Sequence, residues 1–146
     1  MTEEQKNERT IRTVRRVLTV CVAAGFIIYL IVTRQTAVIT RFDNDSLSIS
    51  YGEQVSVSIP FNEIISVTLT DALDTGTPVA AVTDARVSAG TWHSDVFGDY
   101  TLFVYMNVQQ LIIVESEQGY CAFNLSNAND TKLFYEALLT SVNAGE

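Results

Sequence analysis

Between Val17 and Thr33 the chain runs for 17 residues without a charge, VLTVCVAAGFIIYLIVT, with Arg15 and Arg16 before it and Arg34 behind it. A helix of that length spans roughly 26 Å, and the hydrocarbon core of a bilayer is about 30 Å thick. Arginine side chains that snorkel at both ends can close such a gap. Apolar residues recur in every helical direction, so no face is reserved for water. The run therefore predicts one membrane-spanning helix, with Val17 and Thr33 at its ends and Phe26 and Leu30 in its apolar body. A buried core helix is the competing explanation, disfavoured by the charges that clamp both ends. A cleaved signal peptide fits poorly, because Thr33-Arg34-Gln35-Thr36-Ala37 holds no small-x-small site. A lipoprotein site at Cys21 fails too, since Val20 stands where a small residue is needed.

Charge divides the chain. Residues 1–16 carry Lys6, Arg9, Arg12, Arg15 and Arg16 against three glutamates, and read as a polar, flexible or weakly helical head. Basic residues beside a span tend to stay cytoplasmic, which places the N-terminus inside and the remaining domain on the outer side of the cell membrane. After Arg41 the bases are Arg86 and Lys132 and the acids number fourteen, a net charge of −12. Such a surface repels nucleic acid and anionic lipid head groups. The expected organisation is a head (1–16), a span (17–33), a linker or lead-in strand (34–41), one domain (42–142) and a short tail (143–146).

Within that domain the hydrophobic period is two. Leu47-Ser48-Ile49-Ser50-Tyr51 and Val55-Ser56-Val57-Ser58-Ile59 alternate on either side of a turn at Gly52-Glu53, which predicts a hairpin. Pro60, with no N–H to donate, ends that ladder. A third strand is expected over Ile64–Thr70 and a loop over Asp71–Thr83, rich in Asp, Thr, Gly and Pro. A further strand is expected around Arg86-Val87 and a loop over Thr91–Asp99. The runs 100–106, 111–114 and 120–125 read as an antiparallel meander. The end changes period: Phe134, Ala137, Leu138 and Ser141 recur at helical spacing behind an N-cap at Ser126-Asn127, with Asp130 in the first turn.

About seven strands closed by one helix resemble the bacterial pleckstrin-homology domains. The resemblance rests on Leu47-Ser48-Ile49, on Ile59-Pro60-Phe61-Asn62-Glu63-Ile64-Ile65-Ser66-Val67 and on Gly98–Val104. It continues through Leu111–Ser116 and Tyr120–Leu125, and covers residues 40–142. It implies a mainly β fold, a barrel of about seven antiparallel strands capped by a C-terminal helix. Phosphoinositide recognition in that fold uses Lys and Arg between the first two strands. Here the loop is Tyr51-Gly52-Glu53-Gln54, whose charge has the wrong sign.

Candidate chemistry is sparse. His93, the one histidine, has Asp95 and Asp99 nearby but no Cys/His pattern for a metal. Cys21 and Cys121 lie in different parts of the chain, so no disulfide between them is expected. A thiol enzyme built on Cys121 and His93, with Arg86 assisting, is the alternative function, although nothing beside Cys121 would activate its thiol. The acidic stretches 71–74 and 95–99 lack the ligand spacing of a calcium loop. Trp92, Phe97 and Tyr100, with Phe103, are candidate lining for an interaction groove. The expectation is a non-catalytic interaction domain without cofactor, membrane-bound through its own helix, whose partner is a protein. Lipid-surface sensing is a further alternative.

Overall fold

The computed structural model describes residues 3–35 and 37–144 and, within the first helix, the side chains of Glu8 and of residues 10–28. The chain divides into two compact units, residues 1–35 and 36–146.

The first unit is one helix, α1 (Glu3–Gln35). From Glu3 on, the polar head is thus helical and continuous with the apolar run. Arg12 reaches back to Glu8 at 3.5 Å, an exposed i,i+4 pair worth a few tenths of a kcal/mol, ~0.3–0.5. Among the described residues, no helix is long and apolar enough to cross a membrane. The uncharged run with described side chains is Val17–Ile28, about 18 Å of helix against a hydrocarbon core of ~30 Å. Val17 and Phe26 lie in that stretch and are exposed; Leu30 and Thr33 lie outside the described side chains. The expected transmembrane helix, and the single-pass membrane placement built on it, are corrected accordingly.

The second unit is a pair of sheets. The strands are β1 (Val38–Phe42), β2 (Ser46–Tyr51), β3 (Val55–Pro60), β4 (Ile64–Thr70), β5 (Thr77–Thr83), β6 (Val87–Ser94), β7 (Gly98–Tyr105), β8 (Leu111–Ser116) and β9 (Gly119–Phe123). A 3₁₀ turn over Phe61–Glu63 joins β3 to β4, and α2 (Ala128–Ala144) closes the unit. One sheet has the order β1-β2-β3, the other β4-β8-β9-β7-β6-β5. This corrects the expected fold class. Among the described residues there are nine strands in two sheets and no closed barrel, and the larger sheet is mixed, because β7 and β9 run parallel. The expected meander of 100–125 fails for the same reason: β9 inserts between β7 and β8.

Sequence alternation explains the burial. In β2, Leu47, Ile49 and Tyr51 are buried while the serines between them are half-buried. They meet Val87 and Ala89 of β6, Phe103 of β7, Ile112 and Val114 of β8 and Phe123 of β9 in one core, completed by Leu138 of α2. Helix α2 begins as its sequence requires. The Asn127 side chain accepts the Asp130 N–H at 2.8 Å, satisfying a helix-end donor that would otherwise lack a partner. Phe134 then stacks on Phe42 at 4.6 Å and meets Phe123 edge-on at 5.7 Å.

Three buried acids give this fold an alkaline limit. Burial, aided by a hydrogen bond to Asp84, pushes the Tyr51 hydroxyl up to about 12. Burial, aided by the charge of Asp74, does the same to Tyr100, and burial alone to the Cys121 thiol. Each is raised from an ordinary value of 10 or 9, so the unfolded chain releases these protons first as pH rises. Their stabilisation is complete below pH about 9 and is lost between about 9 and 12. Urea midpoints measured across that range should fall, and Tyr51→Phe should flatten the fall; a midpoint indifferent to pH there would contradict these assignments.

Candidate functional site

Of the aromatic residues singled out in the sequence, Trp92, Phe97 and Tyr100 come together on the face of the larger sheet away from the main core, whereas Phe103 is part of that core. Tyr100, Leu102, Leu111 and Ala122 form a second buried cluster, against which Leu73, Trp92, Phe97 and Tyr120 pack. Phe97 meets Tyr100 edge-on at 5.5 Å and tilts against Tyr120 at 4.6 Å. The segment between β4 and β5 lies over them, since the Tyr100 hydroxyl donates to the Thr75 carbonyl at 2.8 Å. Tyr100 is 3% exposed, so its ring belongs to this packing. The Trp92 indole N–H is buried without a hydrogen-bond partner.

The pair proposed for thiol chemistry is separated. Cys121 is buried in the main core on β9, and its thiol is held protonated by burial. His93 sits on β6, where its Nδ1 faces the Asp99 carboxylate at 2.7 Å in an exposed pair. Strand β7 lies between β6 and β9. At ~4.8 Å per strand, two strands put the two backbones about 10 Å apart before any offset along the sheet. That leaves the thiol no base within hydrogen-bond reach. Arg86, the third member of that set, lies in the β5–β6 turn, where its N–H donates to Asp84 at 2.7 Å. Among the described residues, no three His, Cys, Asp or Glu side chains are grouped to hold a metal ion.

A groove of about 670 Å³ opens between the β1–β2 turn and the end of α2. Phe42, Phe61 and Val142 give it an apolar wall, Asp43 and Asp45 an acidic one. The Asp43 carboxylate already accepts the Ser48 hydroxyl at 2.7 Å.

The feature that sequence reasoning missed is β5, read as part of a loop. It is the outer strand of the larger sheet and, among the described residues, pairs only with β6. Six of its seven residues are exposed and one is half-buried. Two glycines let it lie there. A Cβ on Gly90 would stand 2.3 Å from the Ala80 carbonyl oxygen, and one on Gly76 2.0 Å from that of His93. Both glycines have positive φ, +141° and +74°. At its far end Asp84 binds three donors: the Tyr51 hydroxyl and the Arg86 and Val87 N–H groups. Those bonds, that of Tyr51 foremost, hold its carboxyl below the usual range. They also tie the end of β5 to the smaller sheet. The strand is therefore anchored at both ends and open along its outer side. Its sequence signal was the run of Val, Thr and Ala, which fits a strand as well as a loop. Compared with family models, curated proteins and solved structures, the chain matches none.

Proposed function

We propose that the second unit is a non-catalytic interaction domain that binds protein partners. The observation that carries this reading is β5, an anchored, exposed edge strand with no charge from Thr77 to Thr83. Isolated proteins usually blunt such edges with lysine, proline or a bulge, because unpaired backbone groups attract other strands. Here Pro78 and a register shift between Pro78 and Ala80 blunt only the first half. Nucleic-acid partners are disfavoured by the net charge of −12.

The test uses the full chain carrying a photo-crosslinking side chain at Val82 and, in separate variants, at Ile65 or Leu133, two other exposed apolar positions. Illumination in its own cells should yield a discrete heavier adduct from Val82. Absence of any adduct from all three positions would overturn the interaction reading itself.

A further inference from the structure

The ladder of β5 determines which of its backbone groups are available. In the turn to β6, the Asp84 N–H donates to the Val87 carbonyl at 2.9 Å, so that facing pair is hydrogen-bonded. Antiparallel ladders alternate bonded and non-bonded pairs. Counting back along the register, Thr83–Ser88 is non-bonded, Val82–Ala89 bonded and Ala81–Gly90 non-bonded. The Thr83 and Ser88 hydroxyls, 2.9 Å apart, agree with this, because side chains stand closer across a non-bonded pair. The N–H and C=O groups of Ala81 and Thr83 therefore point away from β6, out of the sheet edge. Towards the start of the strand this row ends, since Pro78 has no N–H and the register shifts beside it.

Charge selects the occupant. The strand is neutral, Asp74 precedes it and Asp84 follows it, and the chain beyond Arg41 carries −12. A second copy would bring the same excess of negative charge to the edge and be repelled. An extended segment bearing lysine or arginine is attracted by the same field. We propose that the free edge of β5, over Ala80–Thr83, takes a basic, extended segment of a partner protein as an added strand. Backbone bonds to Ala81 and Thr83 hold it, and the acidic domain supplies the preference for positive charge. This rests on the interaction reading above and narrows it to one edge and one partner chemistry.

The experiment uses the full chain and two defined peptides, Lys-Val-Lys-Val-Lys-Val-Lys and its glutamate counterpart. The lysine peptide should bind and slow amide exchange at Ala81 and Thr83 by about tenfold or more, whereas the glutamate peptide should not. Ala81→Pro removes an outward N–H that β6 does not use, a position where an edge strand tolerates proline. It should weaken the lysine peptide about tenfold while Val82 stays protected. Val82→Lys, which leaves the backbone row intact, should weaken the lysine peptide and narrow the preference between the peptides without reversing it, since the domain stays strongly acidic. The proposal is overturned if the lysine peptide fails to bind, or binds without protecting Ala81 and Thr83. Equal binding of both peptides also overturns it. Photo-adducts from Ile65 or Leu133 with none from Val82 would sink the edge assignment and leave the broader interaction reading standing.

Discussion

Phe103→Ala should destabilise the second unit by about 3–5 kcal/mol. Phe103 is fully buried on β7, where its register neighbours are Ala89 of β6 and Phe123 of β9. It therefore sits where the larger sheet meets the smaller one, among side chains from β2, β6, β8 and α2. Neither flanking strand can move in to fill the space, because both are held by their ladders. The cost thus combines lost transfer energy with an unfilled cavity. Urea unfolding of the full chain, followed by the fluorescence of Trp92, reads the effect directly. Val96→Ala is the comparison, at a side chain 76% exposed, and should change the midpoint by less than about 0.5 kcal/mol. Equal effects of the two substitutions would contradict the placement of the core.

Asn124→Leu should cost about 3 kcal/mol or more, for a different reason. Asn124 is completely buried just after β9. Its Oδ1 accepts the Tyr105 N–H at 2.7 Å, and its Nδ2 donates to the carbonyls of Val108 at 2.9 Å and Tyr105 at 3.3 Å. One side chain thus satisfies the backbone at the point where β7 ends and the crossover to β8 begins. Leucine has the same number and branching of side-chain heavy atoms, so no cavity forms. It leaves the Tyr105 N–H and the Val108 carbonyl without that partner, each worth about 1–3 kcal/mol when stranded, while the Tyr105 carbonyl keeps the Val108 N–H at 3.1 Å. Amide exchange at Tyr105 should rise with the loss of stability. A leucine variant as stable as the parent would mean that water replaces the amide.

These two residues also mark what the sequence could and could not convey. Phe103 lies in a continuous apolar run, Leu102–Met106, which reads as a strand buried on both faces; its burial is legible, though not which face it takes. The hairpin of β2 and β3 and the helix α2 are legible from periodicity, one from period two and the other from helical spacing behind Asn127. Asn124 gives no such sign, because an asparagine after a strand reads as the start of a loop. Its role comes from the crossover that places β9 between β7 and β8, a long-range pairing that local pattern does not encode. Strand β5 was hidden in the same way. Its Thr, Pro and Ala residues, framed by Asp and Gly, suit a loop, and β6 draws them into the sheet through the close approach at Gly90. The aromatic residues Trp92, Phe97 and Tyr100 were legible as a group, though not their packing beneath the segment ending at Gly76.

The proposed strand addition draws on the same division between rigid core and open rim. The core and the bonds of Asp84 fix β5 in position, so a guest strand would meet a preformed edge and order only itself. The most direct measurement combines the photo-crosslinker at Val82 with Ala81→Pro in the full chain. The expected result is a Val82 adduct that disappears with Ala81→Pro and is displaced by the lysine peptide, while the variant unfolds at the parent's urea midpoint. A Val82 adduct of undiminished yield in the proline variant, at unchanged stability, would contradict strand addition at β5.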